Sequence, residues 1–242
     1  MKNRISATFF LPLLFAAFES LCQPATLDVA GAGIGGGSVK YNDPSAIGNK
    51  KAPALEYSDV RGKYMWDNEW HPGLLVFKNG HGIKLQQVRL NLYTQDVQYL
   101  AKDGTEMAAE KGLVKGLLLY SSKDTTKTIG TFRIFKVTDS KTEQFFEQMN
   151  QGKVLLFKRS VTSLKKLPYD PSIGKTEYRF FATIDHYIQD GADLRPLSSL
   201  NKTSVASVIK IDEAADDWLG KNKNKLKTEE DVMTFLNYLN AR

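Results

Sequence analysis

Leu74-Leu75-Val76-Phe77-Lys78-Asn79-Gly80-His81-Gly82-Ile83-Lys84-Leu85-Gln86-Gln87-Val88-Arg89-Leu90-Asn91-Leu92-Tyr93 is the stretch that decides the fold class. A short apolar run closes at Asn79-Gly80-His81-Gly82, residue types that accept the backbone angles of a tight turn, and a longer alternating run returns. That is the pattern of a β-hairpin. In the returning arm the apolar residues begin on odd positions, Ile83 and Leu85, and then move to even ones, Val88, Leu90 and Leu92. Side chains alternate across a strand with period two, so the change of phase needs an extra residue. The spacing predicts a β-bulge near Gln86-Gln87.

The same punctuation recurs downstream. Residues 97–101 and 105–109 meet at Asp103-Gly104 as a second hairpin, and further strands are expected at 113–120, 129–137, 154–161 and 178–188. A short helix is expected at 143–149, packing Phe145, Phe146 and Met149 inward. The connections are mostly too short for crossover helices, so the sheet is expected to be mainly antiparallel. After Pro196 the period becomes helical: Val205, Val208 and Ile209 make one stripe, Ala214, Ala215, Trp218 and Leu219 a second, and Val232, Phe235, Leu236 and Leu239 a third. Thr228, with Asp231 three residues on, has the form of a capping box ahead of the last helix. The expected architecture is α+β: an antiparallel twisted sheet or small sandwich over 64–190, followed by a helical subdomain over 191–242.

Ahead of the sheet, Lys2 and Arg4 precede an apolar stretch from Ile5 to Phe18 that Glu19 ends. This is the layout of a cleavable signal peptide at 1–22, and the stretch is shorter than the ~20 residues a membrane-crossing helix needs. Cys22 is the sole cysteine, so intrachain disulfides are excluded and the fold must hold by burial. Lipidation of Cys22 is disfavoured by the bulky Leu21 before it. Residues 23–63 carry a glycine cluster and little apolar surface, and read as a flexible arm. The formal charge of +6 is too weak and diffuse to indicate nucleic acid, and beyond residue 22 no apolar run is long enough to span a membrane.

Catalytic signatures are sparse. Val29-Ala30-Gly31-Ala32-Gly33-Ile34-Gly35-Gly36 has the glycines of a dinucleotide-binding loop, but no amphipathic helix follows, so a linker is the better account. His71 and His81, ten positions apart, would be on the order of 30 Å from each other in extended chain, too far to share a metal. His186 stands on the apolar face of its strand and reads as a hydrogen-bonded interior histidine, with Asp185 on the opposite face. No cofactor or metal is expected. The lysines of 221–227 read as a solvated connection between helices. The remaining candidates are Tyr64, Trp66, Trp70 and His71 at the entrance to the first hairpin, aromatic residues able to stack on a sugar ring or a partner's side chain, or to close one end of a core.

Trp70-His71-Pro72-Gly73-Leu74-Leu75-Val76-Phe77-Lys78-Asn79-Gly80, the later run from Phe145 to Phe157 and the ending Phe235-Leu236-Asn237-Tyr238-Leu239-Asn240 resemble a loose family of uncharacterised exported proteins of Gram-negative bacteria. The resemblance runs from Trp66 to the C-terminus and implies export and a single architecture, with no site residues to carry over. The functional expectation is an exported, non-enzymatic envelope protein binding a protein or glycan partner. The alternative is a secreted hydrolase working through paired carboxylates, which have no fixed spacing in sequence.

Overall fold

The computed structural model describes residues 50–51, 60–137, 142–170, 172 and 175–242. The expected signal segment and most of the expected arm lie outside the described residues. The strands are β1 Lys50–Lys51, β2 His71–Phe77, β3 Gly82–Asn91, β4 Asp96–Leu100, β5 Glu106–Ala108, β6 Val114–Tyr120, β7 Thr128–Phe135, β8 Gln144–Gln148, β9 Val154–Asp170, β10 Lys175–Asp190 and β11 Asp193–Leu197. They form a single sheet in the order β1-β5-β4-β3-β2-β6-β7-β8-β9-β10-β11, and every neighbouring pair is antiparallel. Three helices follow, α1 Lys202–Val208, α2 Glu213–Lys221 and α3 Glu229–Asn240.

The bulge falls where the phase change places it. His71 stands opposite Val88 and Gly73 opposite Leu85, so β3 has one residue more than β2 across Gln86-Gln87. Val88 and Leu90 thereby join Leu75 in the interior. Residues 61–66 curl the sheet by bonding at both ends. Trp66 N donates to Leu90 O (2.9 Å) and Leu92 N to Tyr64 O (2.7 Å), while Phe180 N of β10 donates to Arg61 O (2.8 Å). Gly62, at φ +109°, lies so near β10 that a Cβ would stand 2.5 Å from Phe180 O, which only glycine avoids. Gln95 ties the β3–β4 turn across the curl: its Nε2 donates to Ser160 O (3.2 Å) and its Oε1 accepts from Phe145 N (3.0 Å). The resulting core holds Leu75, Val88, Leu90, Val97, Tyr99, Leu117, Leu119, Phe132 and Phe145.

Two expectations are corrected. Residues 144–148 are strand β8, not part of a helix at 143–149. Phe145 enters the main core, and Phe146 a separate cluster with Leu155, Phe157 and Tyr187. Adjacent aromatics can both be buried on a strand covered on both faces, and over so few residues periodicity does not distinguish that from a helix. The sheet also extends past 190, because β11 pairs with β10. Its Pro196 is compatible with an edge position, where one side of the strand needs no ladder donor. In addition, Lys50–Lys51 of the expected arm pairs with β5, and ladder pairing of this kind needs no apolar side chain.

The helices match the three stripes and pack them, apart from the exposed Ala214, with Leu156, Ile188 and Leu197 of the sheet. Each has a side-chain N-cap: Asn201 accepts from Ser204 N, Asp212 from Ala215 N, and Thr228 from Asp231 N. The expected capping box is displaced by one residue, since Asp231 Oδ2 accepts from Lys227 N (2.9 Å). At the other end of α3, Asn240 Oδ1 accepts from Lys153 N (3.0 Å) and Val154 N (2.8 Å), and its Nδ2 donates to Gln151 O and Val154 O. Gly152, at φ +123°, leaves the space the Asn240 amide occupies. Among the described residues no helix is long and apolar enough to cross a membrane.

Candidate binding surface

The four residues singled out at the first hairpin are each engaged inside the fold. The Tyr64 ring lies 5.0 Å from that of Phe180. Trp66 meets Phe132 edge to face at 5.3 Å and donates its indole N–H to Glu147 Oε2 at 3.2 Å. Trp70 lies beneath Arg89, whose guanidinium carbon is 4.1 Å from the ring centroid. Arg89 is itself held by Gln98 Oε1 (3.1 Å) and Glu106 Oε1 (2.9 Å), so this stack ties the loop before β2 to β3, β4 and β5.

His71 is 5% exposed at the first position of β2. Its Nε2 is 3.0 Å from Asp67 Oδ2, and its Nδ1 is 3.4 Å from Ser122 Oγ, which lies equally far from Trp70 O. Burial raises the Asp67 carboxyl's affinity for a proton, but the Glu69 N–H and the His71 ring outweigh it and hold the group below its usual range. The ionised carboxylate accepts, so Nε2 carries the proton and donates. In the neutral ring Nδ1 is then an acceptor for the Ser122 hydroxyl. The residue types are those of nucleophilic catalysis, but the serine-to-imidazole step is at the long end of hydrogen bonding and the hydroxyl is shared with a carbonyl. The array locks the loop before β2 against the β6–β7 turn.

A second polar chain runs from the sheet to α3. Lys158 Nζ lies 3.4 Å from Glu147 Oε2 and 3.3 Å from Glu229 Oε2, and Glu229 Oε1 is 2.9 Å from His186 Nε2. Burial works against the Glu229 charge, but the His186 hydrogen bond and the nearby Lys158 ammonium prevail, and its carboxyl sits below the ordinary glutamate range. His186 is therefore hydrogen-bonded, as expected, through a partner on the last helix that its own strand could not disclose. Glu147 and Glu229 are the carboxylates that converge here, and Lys158 forms an ion pair with each. A general acid needs its proton retained near neutral pH, the opposite of what Glu229 experiences.

The exposed apolar surface lies elsewhere. β9 and β10 pair from Val154↔Asp190 out to Asp170↔Lys175 with a register shift between Thr176 and Tyr178, and the rungs beyond Phe180 carry the ribbon past the segment that curls the sheet. Among the described residues the large hydrophobic side chains left exposed are Leu113 and four on this ribbon: Tyr169 (61%), Tyr178 (48%), Phe181 (37%) and Ile184 (54%). Lys165, Lys166 and Arg179 are exposed beside them. Lys165 faces Arg179 directly across the two strands, and both cations approach the Phe181 ring, at 5.4 and 5.7 Å.

Comparison with protein-family models, with curated proteins and with solved structures gives no match. Of the ribbon residues, Tyr169 lies outside the strands expected at 154–161 and 178–188, while Tyr178, Phe181 and Ile184 fall inside the second, where an apolar face was expected to be covered. The usable signal was parity: 178–188 has apolar residues on even positions (Tyr178, Phe180, Ile184, Ile188) and on odd ones (Phe181, Tyr187). A strand apolar on both faces is either buried on both or unfinished without a partner.

Proposed function

We propose that this is an exported, non-enzymatic protein that binds a partner in the cell envelope, protein or glycan being the classes first expected, and that the outer half of the β9–β10 ribbon is its recognition surface. The observation that carries the reading is the placement of Tyr169, Tyr178, Phe181 and Ile184 in solvent on one projecting element. Burying such a side chain is worth about 1.5–3 kcal/mol, and this chain leaves that stabilisation unused at four sites within one hairpin. Exposed large apolar side chains gathered on one element are a feature of interaction sites. Export rests on the signal-peptide layout of 1–22. The helices over β9–β11 serve as a subdomain that anchors the base of the ribbon.

The hydrolase alternative loses ground on the Glu147–Lys158–Glu229 chain, where Lys158 stands between the convergent carboxylates and Glu229 is held ionised below the usual glutamate range. Trp66 and Trp70 act as closure of the core, with the ring of one set on Phe132 and of the other beneath Arg89.

Photo-crosslinking residues placed at Tyr178 and Ile184, and at the exposed Lys102 as control, test the reading in the native envelope. Adducts at the two ribbon positions and none at Lys102 are the expected result. Equal yield at all three positions overturns it.

A further inference from the structure

Resting on that reading, we infer that the partner is an acidic glycan, held on the face of the ribbon that carries Phe181. Three adjacent segments place a cation at the same level. Arg61 bridges to Arg179 in parallel register, and Arg179 stands directly opposite Lys165. Paired residues share a face of a sheet and neighbouring strands are about 4.8 Å apart, so the three side chains rise from one row roughly 10 Å long. Arg61 is fixed there by the hydrogen bond from Phe180 N to its carbonyl and by Gly62, whose lack of a Cβ allows the approach to Phe180 O. All three cations are exposed, and among the described residues none forms an ion pair. Like charges set side by side on a sheet destabilise it, and an anion bound over them removes the repulsion. The planar guanidinium forks of Arg61 and Arg179 suit the paired oxygens of a carboxylate.

What surrounds the row identifies the anion. Phe181 follows Arg179 on the same face, with Ser163 opposite it and Thr183 next along β10, and all three are exposed. A single aromatic ring among hydroxyls and cations has the composition of a sugar site. The ring takes the C–H face of a pyranose, and the polar groups take its hydroxyls and its carboxylate. A protein partner would call for a larger apolar centre than one phenylalanine. A bilayer is excluded by order along the ribbon, because Phe181 lies on the base side of the cations and is out of reach of acyl chains once phosphates meet the row. A chain of acidic sugars carries a carboxylate on each ring and so meets the three cations with several charges at once.

Calorimetric titration of the full chain with polygalacturonate, a chain of sugar carboxylates, and with dextran, a neutral glycan, tests this. The parent is expected to bind the first, less tightly as salt rises, and not the second. Arg61→Gln/Lys165→Gln/Arg179→Gln is expected to bind polygalacturonate about tenfold or more weakly, since its charge-assisted hydrogen bonds are lost. Lys102→Gln/Lys115→Gln/Lys123→Gln removes the same charge from exposed positions elsewhere and is expected to bind as the parent does. Phe181→Ser is expected to bind severalfold more weakly with its salt dependence kept. All these side chains are exposed, and an unchanged far-ultraviolet spectrum verifies that the sheet is intact. No binding of polygalacturonate by the parent, equal binding of dextran, or equal affinity in the two triple variants overturns the inference. If adducts at Tyr178 and Ile184 are then found on a protein, the partner-binding reading stands and the glycan assignment falls; with no adducts, both fall.

Discussion

Strands β2 to β8 and the outer half of the β9–β10 ribbon are built of the same antiparallel element and treat their apolar side chains in opposite ways. In the first region a bulge, a glycine at the crossing with β10 and the Gln95 tie accompany a sheet whose strands gather Leu75, Leu90, Val97, Phe132 and Phe145 into one core. In the second, Tyr178, Phe181 and Ile184 stay 48, 37 and 54% exposed on a paired ladder. Backbone pairing alone therefore does not distinguish the two. What differs is whether another segment packs onto the strand: Phe180, where residues 61–66 bond to β10, is buried, while Tyr178 outside that crossing and Phe181 and Ile184 inside it are not. The base of the same ribbon makes the contrast sharper, because Leu156 and Ile188 are buried there under the helices.

Substitutions should rank along this contrast. Leu117→Ala, in the curled core, is expected to cost about 2–5 kcal/mol in chemical denaturation, the range for a leucine removed from a packed interior. A loss below 1 kcal/mol would mean that the curl is loosely filled. Asn240→Ala removes the side chain that makes four hydrogen bonds to the β8–β9 turn. Its expected cost is about 1–3 kcal/mol, since the turn's donors lose their acceptor, and hydrogen exchange at Lys153 and Val154 should accelerate first.

The polar chain between sheet and α3 should contribute less and should depend on pH. Because the folded-state pKa of Glu229 is lowered, its stabilisation is present above the unfolded value of about 4.3 and is lost as pH falls through the folded one. Glu229→Gln is expected to be less stable than the parent by on the order of 0.5–1 kcal/mol at neutral pH, solvent screening keeping the effect small. The two should converge in acid, and denaturation midpoints collected across the acid range measure it. A difference that persists below the folded pKa would assign the effect to packing.

How far the sequence discloses this molecule follows from what each contact requires. The first hairpin, the Gln86-Gln87 bulge and the three helices were legible because their signals are local: a turn dipeptide, a phase change, a stripe with a cap. The β8 strand was misread because Phe145 and Phe146 belong to two cores that periodicity cannot see separately. β11 and the pairing of Lys50–Lys51 were missed because an edge strand can form on backbone bonds with little apolar pattern. For the aromatic group at Tyr64, Trp66, Trp70 and His71 the sequence left open a stacking platform or the closure of one end of a core, because its partners Phe180, Glu147, Arg89 and Ser122 come from distant parts of the chain. The ribbon was hidden for a related reason: the length of a hairpin is set by pairing, and exposure by what else is in reach.

The separation of core from recognition surface is tested most directly by Tyr178→Ser/Phe181→Ser/Ile184→Ser, with stability and envelope association measured on the same preparation. Unfolding stability is expected to stay within about 1.5 kcal/mol of the parent, about 0.5 for each exposed site, while envelope association is lost. A large fall in stability with association unchanged would contradict the account.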